Sequence, residues 1–167
     1  MDGARATEAA RLLDAGRFAV EEKQLGPVVV AGLRMKGRYE DCGRGFSTVA
    51  RVMGRHLQGR PLCLYYDGEY RDEDASFEAC FPLRREVPSR DDVQVRVLEA
   101  QRCLCLVHQG SYPQLGHSYR KLLAEARRRG FTVQLPTREV YLKGPGMIFK
   151  GNPLRYLTEI QLPINES

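Results

Sequence analysis

The chain has 167 residues, an apolar fraction of 43%, a formal net charge of +5 and a pI near 9.1. This length suits one globular domain, and the apolar fraction argues against extensive disorder. No apolar run approaches the roughly 18 residues that a membrane-spanning helix needs, and the N-terminus lacks the apolar core of a secretory signal. We therefore expect a cytoplasmic protein that does not associate with membranes.

The regular pattern begins at Phe18. Residues 1–17 are rich in Ala and Arg, and we assign them to a lead-in with a possible short helix over residues 7–15. Residues 18–167 form the domain. Its first half predicts a strand at residues 28–35, a helix whose apolar face runs from Phe46 to Leu57, and strands at residues 62–66 and 77–83.

The second half repeats this order. Strands are predicted at residues 93–98 and 102–108, a helix at 115–129, and strands at 137–143 and 158–164. Between the last two strands lies a Gly/Pro-rich loop at residues 144–153. Long loops of this kind are often functional, so this one is a candidate lid.

Two constant offsets relate the halves. Gly37 and Tyr39 recur as Gly110 and Tyr112, an offset of 110 − 37 = 73 that also relates the two helix faces. Residues 78–82 match residues 159–163 at a larger offset, 159 − 78 = 81. The second half therefore contains 81 − 73 = 8 extra residues before its last strand, and the loop at residues 144–153 accounts for them. Such self-similarity indicates duplication.

We therefore predict an α+β fold made of a duplicated β-α-β-β module, with repeats at about residues 18–88 and 91–167. The two copies form one antiparallel sheet with two main helices, and a central groove lies where they meet. Ligand sites favour concave junctions of this kind.

Strand parity nominates the side chains for this groove. Glu139, Tyr141 and Lys143 share one face of their strand, and Glu159 and Gln161 share one face of the last strand. The apolar faces would pack on the helices. We expect Glu139 and Glu159 to look into one shared hollow.

The residues around these two glutamates favour a particular ligand chemistry. Tyr141, Phe149 and Tyr156 lie near them in sequence. A carboxylate among aromatic rings suits a lipophilic cation, and partial burial would raise its pKa and make it a candidate general acid or base. For Glu78, in contrast, a solvated sheet face is the favoured interpretation.

The cysteines and histidine give no independent sign of catalysis. The five cysteines are odd in number and have no CxxC spacing, which favours buried free thiols over disulfides or a zinc site. His108 stands beside no nucleophile motif, so a structural role is favoured. The sequence has no nucleotide-binding or metal-ligand motif, and we predict no metal and no cofactor.

The positive charge does not by itself indicate nucleic acid. The densest basic run, residues 127–129, ends a predicted helix, where cations complement the helix dipole. No helix-turn-helix pair, zinc-finger spacing or RNA-binding motif accompanies it. We expect no direct nucleic-acid partner.

Five segments in order resemble one known family, the GyrI-like small-molecule-binding domain, also called the bacterial transcription activator effector-binding domain. The resemblance covers roughly residues 18–165, and its segments are Gly37-x-Tyr39, Leu64-Tyr65-Tyr66-Asp67, the run from Val107 to Tyr112, Arg138-Glu139-x-Tyr141 and the run from Thr158 to Ile164.

The resemblance implies a duplicated β-α-β-β fold and a central groove for amphipathic, often aromatic or cationic compounds. Glu139 and Tyr141 would be the central pocket residues and Glu159 a second acidic candidate. Further candidates for the pocket wall are Tyr66, Tyr112 and Tyr119.

Two departures from the family pattern leave alternatives open. The residues before Phe18 are too few for a DNA-binding domain, so we expect a stand-alone binding protein, and the chain has no Trp to stack a ligand. One alternative implied by the resemblance is a hydrolase of small strained-ring isocyanides that uses Glu139 as its catalytic group. The other is a module that binds or inhibits a protein partner.

Overall fold

A computed structural model describes residues 19–145 and 151–166. These residues build one curled antiparallel sheet with two main helices, and so confirm the predicted fold class. The predicted N-terminal helix at residues 7–15 lies outside the described residues, as do Phe149 and the middle of the candidate lid.

Residues 19–98 form five strands and one helix, and the last of these strands lies in the second repeat. They are β1 (Glu21–Leu25), β2 (Val28–Gly37), α1 (Cys42–Met53), β3 (Leu62–Tyr65), β4 (Ala75–Pro82) and β5 (Gln94–Leu98). The sequence predicts all of these except the short β1.

From Gln101 onward, the described residues form four further strands and one helix, all in the second repeat. They are β6 (Gln101–Gln109), α2 (Leu115–Arg128), β7 (Phe131–Val133), β8 (Thr137–Lys143) and β9 (Leu157–Glu166). Here the short β7, which pairs with β9, was not predicted.

The strand order has an internal symmetry. The order is β1-β6-β9-β8-β3-β4-β2-β5, so β8 and β3 meet at the centre of the sheet. Outward from this centre, β9, β6 and β1 on one side correspond to β4, β2 and β5 on the other. Leu33 pairs with Ala79 in the first half and Leu106 with Ile160 in the second. These pairs are related by 106 − 33 = 73 and 160 − 79 = 81, the two offsets found in the sequence.

Both helices cover the same face of the sheet. Paired residues of an antiparallel sheet point to one side, and the row Ala79, Cys63, Glu139 and Ile160 runs across four adjacent strands. Ala79 borders α1, and Ile160 packs in the core with Leu122 of α2. The centre of this row, between the two helices, is therefore the natural place for a site.

Tight turns lead into the helices. Gly37 is the last residue of β2, and Gly110 comes directly after β6. Their φ values are 153° and 131°. This region of backbone space favours glycine. Each turn is followed by a single 3₁₀ turn that starts at Tyr39 or Tyr112 and then by the helix. The glycine turns thus place the two tyrosines at equivalent positions.

Candidate functional site

Glu139 is the centre of the candidate site. It lies on β8, between the two helices, and only 6% of its surface is exposed. Its Oε1 accepts hydrogen bonds from the Tyr141 hydroxyl at 3.0 Å and the Tyr65 hydroxyl at 3.2 Å, and its Oε2 accepts one from Tyr119. The hydroxyls of Tyr65 and Tyr141 are also 2.9 Å apart. One carboxylate therefore collects three phenol groups.

A second layer of rings surrounds these phenols. Tyr39 packs edge-on against Tyr65 with ring centroids 5.3 Å apart, and Tyr112 packs edge-on against Tyr141 at 5.8 Å. Phe46 of α1 meets the Tyr141 ring at 5.7 Å. Tyr156 in turn packs against Tyr112 at 5.3 Å. We call the set around the carboxylate the aromatic cage, and its members are Tyr39, Phe46, Tyr65, Tyr112, Tyr119, Tyr141 and Tyr156.

Burial dominates the electrostatics of the cage. It raises the pKa of Glu139 above its ordinary value of 4.5, and the three phenol hydrogen bonds only partly oppose this rise. Burial also raises the pKa of Tyr65, Tyr119 and Tyr141 well above the usual value, so these phenols remain hydrogen-bond donors. Among the residues that the structure describes, no Lys, Arg or His nitrogen lies within 4.0 Å of the Glu139 carboxylate.

The internal symmetry explains how the cage is assembled. The registers relate Tyr65 of β3 to Tyr141 of β8 by 141 − 65 = 76, while Tyr39 and Tyr112 share the offset of 73. The same offset of 73 relates Phe46 of α1 to Tyr119 of α2, so here a phenylalanine and a tyrosine occupy equivalent helix positions. Each half of the fold therefore contributes a matching wall of rings.

Glu159 does not share the hollow with Glu139, and that expectation was wrong. The β8–β9 register pairs Glu139 with Ile160 and Glu159 with Val140, so the two carboxylates lie on opposite faces of the sheet. Glu159 instead bonds to Lys23 Nζ at 2.9 Å. The error arose at β8, where the face that carries Glu139, not the apolar face, turns toward the helices.

Tyr66 and Glu78 also lie on the face away from the helices. Glu78 is 1% exposed rather than solvated. Arg96 donates two hydrogen bonds to its carboxylate, one to each oxygen and the one to Oε1 at 2.7 Å, and the Tyr66 hydroxyl donates a third at 2.6 Å. Burial alone would raise the pKa of Glu78, but the bonds from Arg96 and Tyr66 outweigh it and lower the pKa. Tyr66 therefore stabilises a structural ion pair, and a place for it in the cage is not supported.

Of the nominated residues, the structure brings together Glu139, Tyr141, Tyr112 and Tyr119. It adds Tyr39, Phe46, Tyr65 and Tyr156, none of which was predicted as a site residue from the sequence. The alternation of side chains along β3 could have identified Tyr65. Residues 65 and 66 point to opposite faces of the sheet, so only one of them can lie on the same face as Glu139. The offset of 73 could have identified Tyr39, because it relates Tyr39 to Tyr112, which was predicted as a wall residue.

The five cysteines and His108 are buried. All five cysteines are free and buried, as predicted. His108 is 2.8 Å from the Ser118 hydroxyl, and burial lowers its pKa, which fits the structural role favoured from the sequence. In the described part of the chain, no three potential ligands cluster for a metal, and no helix is long and apolar enough to cross a membrane.

Comparisons with known proteins bear on this geometry. A family model described as GyrI-like small molecule binding domain matches residues 18–165. Among proteins with curated descriptions, none matches the sequence.

Several solved structures share the fold. The EcmrR C-terminal domain aligns with a TM-score of 0.78 and 20% identity over 89% of this chain and 98% of that one. The chain spans 64% of the length of the EcmrR chain solved with DNA, where 98% of this chain aligns with a TM-score of 0.79 and 18% identity.

Two further structures have lower identity. A hydrolase from Listeria innocua aligns with a TM-score of 0.64 and 13% identity over 95% of this chain and 98% of that one. SAV2435 bound to tetraphenylphosphonium aligns with a TM-score of 0.54 and 13% identity over 89% of this chain and 94% of that one.

Proposed function

Because the chain belongs to the family of GyrI-like small-molecule-binding domains, we propose that its ligand is a lipophilic aromatic cation held against Glu139 by the aromatic cage. Small-molecule binding follows from the family. The charge and shape of the ligand are inferred from the site, and the single observation that carries the inference is a buried carboxylate with three phenol donors and no described cationic partner.

The energetics of that carboxylate favour a cationic ligand. An ionised carboxylate that is removed from water costs several kcal/mol unless it is paired. A ligand cation at 4–5 Å would return about 3–4 kcal/mol at an effective dielectric constant near 20. Each ring that faces the cation adds about 0.5–2 kcal/mol. A neutral ligand gains the ring contacts but not the charge pairing.

The fold comparison supports the same ligand class. SAV2435, which shares the fold, was solved with tetraphenylphosphonium, a bulky aromatic cation. The likeness itself extends only to the fold. In this chain, the ligand class is therefore inferred from Glu139 and the rings around it.

The test uses two ligands of nearly equal shape and opposite charge, tetraphenylphosphonium and tetraphenylborate. Calorimetric titration of the wild type should give binding to the cation and much weaker binding to the anion. Glu139→Gln should lose about 10- to 100-fold in affinity for the cation, which corresponds to about 1.4–2.7 kcal/mol. Glu159→Gln is the matched control, because it removes a carboxylate from the opposite face and should leave the affinity unchanged.

Two results would contradict the proposal. One is equal binding of the cation and the anion by the wild type. The other is an equal loss of cation affinity in both variants, which would assign the effect to overall charge rather than to the cage.

A second candidate function is hydrolysis, and the raised pKa of Glu139 supports it. A carboxyl group with a raised pKa keeps its proton to a higher pH than an ordinary carboxyl group does, and it can donate that proton to a strained or electrophilic substrate. Incubation with a panel of small isocyanides and esters tests this idea. Turnover that disappears in Glu139→Gln supports it, and no turnover above buffer removes it for those substrates.

A further inference from the structure

Two thiols meet at the wall of the aromatic cage. Cys42 is the first residue of α1 and Cys63 lies on β3, and their Sγ atoms are 3.3 Å apart. Both side chains are buried, with 8% and 0% of their surfaces exposed. Residues 21 apart in the sequence thus place two sulfur atoms in van der Waals contact.

The thiol pair adjoins the groups that surround Glu139. Cys63 is the direct cross-strand partner of Glu139 on the helix-covered face. Tyr39, Phe46, Tyr65 and Tyr141 of the cage pack against the cluster that contains both cysteines. A ligand that occupied the cage would therefore have two sulfur atoms beside it.

We propose that Cys42 and Cys63 form a dithiol site, within the cage, for one thiophilic electrophile of the trivalent aryl-arsenic class. An aryl arsenic(III) oxide would exchange its oxygen for the two sulfurs. Two S–H bonds and the arsenic–oxygen bond break, two As–S bonds form, and the oxygen leaves as water with both protons. No atom changes oxidation state.

The surroundings favour this exchange over disulfide formation. Disulfide formation needs a two-electron oxidant that reaches the buried pair, whereas the arsenic exchange needs none. Burial also raises the pKa of the Cys63 thiol well above its usual value, which lowers the fraction of thiolate that attacks an oxidised sulfur. The arsenic exchange starts from neutral thiols and ends in a neutral product, so it leaves no charge in the buried site. The aryl group would then lie against the rings that we propose for the aromatic cation. In this respect the inference rests on the proposed function.

The chain also contains a matched control pair. Cys103 and Cys105 are both buried and lie two residues apart on β6, so they share a face. Their cross-strand partners Pro163 and Gln161 belong to the face away from the helices. These two thiols have no access to the cage.

The experiment treats the full chain with one equivalent of phenylarsine oxide in the presence of excess glutathione. Intact-mass spectrometry should show one aryl-arsenic adduct, and alkylation under denaturing conditions should leave Cys42 and Cys63 protected. Because the second sulfur binds intramolecularly, Cys42→Ala and Cys63→Ala should each weaken the adduct by about 10²–10⁴-fold. The double variant Cys103→Ala/Cys105→Ala should retain it.

The outcomes separate this inference from the proposed function. Cys42→Ala/Cys63→Ala should lose the adduct yet still bind tetraphenylphosphonium, whereas Glu139→Gln should keep the adduct and bind the cation weakly. The adduct on the wild type should block the cation. An adduct that maps to Cys103 and Cys105, no adduct at all, or an adduct that leaves cation binding intact would overturn the dithiol site. The alkylation map of the wild type distinguishes the two cysteine pairs even where a variant fails to fold.

Discussion

The binding of a cation beside Glu139 should be linked to the release of a proton. The free protein holds Glu139 with a pKa above 4.5, because burial disfavours its charge. A bound cation stabilises the carboxylate and lowers that pKa. Affinity for tetraphenylphosphonium should therefore rise with pH, by about tenfold per unit between the pKa of the complex and the pKa of the free protein, and then level off. Each such unit corresponds to about 1.4 kcal/mol.

The assay is calorimetric titration from pH 4.5 upward in buffers of different ionisation enthalpy, which count the released protons. Glu139→Gln provides the reference, and its affinity should not change with pH over the same range. A wild-type affinity that is also flat, with no proton released, would refute the reasoning. So would an equal slope in Glu139→Gln, because the titrating group would then lie elsewhere.

The same shift predicts the stability of the free protein. A carboxyl whose pKa is raised on folding stabilises the native state below its unfolded pKa, and this contribution is lost as the pH rises through the folded pKa. Without ligand, the free energy of unfolding of the wild type should fall relative to Glu139→Gln as the pH rises from 4.5. Urea denaturation at a series of pH values measures this, and a constant difference would contradict it.

Three substitutions test other contacts. Tyr119→Phe removes one phenol donor from Glu139, and calorimetry at pH values below the plateau should show about tenfold weaker cation binding. Arg96→Met leaves the buried Glu78 without its guanidinium, so the free energy of unfolding at neutral pH should fall by about 1–2 kcal/mol, and the loss should shrink in acid. Gly45→Ala places a methyl group against the Met35 sulfur and 2.8 Å from the Ala79 Cβ beneath α1, and urea denaturation should show a loss of about 1–3 kcal/mol. An unchanged affinity or an unchanged unfolding midpoint would count against the contact concerned.

Much of the fold was predictable from local patterns. The apolar periodicity located both main helices and seven of the nine strands that the structure describes. The offsets of 73 and 81 correctly anticipated which strand pairs of the two halves would correspond. The resemblance to the GyrI-like family is likewise confirmed by the match over residues 18–165. The missed strands, β1 and β7, are short edge segments whose pairing depends on distant partners.

The site was only partly predictable, because burial of a polar face cannot be inferred from one strand alone. Parity correctly grouped Glu139 with Tyr141, yet the rule that apolar faces meet helices failed at β8. There the structure turns the glutamate toward the helices and satisfies it with phenols from β3, β8 and α2. Pairing with β3 and packing of α2 are both long-range, so the sequence had no local sign of them.

The internal symmetry separates the structural carboxylates from the candidate functional one. On the face away from the helices, Arg96 with Glu78 and Lys23 with Glu159 occupy equivalent positions, since 96 − 23 = 73 and 159 − 78 = 81. Both halves therefore keep an ion pair there, as a repeated structural need would require. On the helix-covered face, the counterpart of Glu139 is Cys63, since 139 − 63 = 76. A charge that one half carries and the other lacks is not demanded by the fold, and it makes two otherwise similar walls chemically unequal. A cation in the cage would accordingly lie off the symmetry axis, nearer β8 and Tyr119, with the thiol side left for softer ligand atoms.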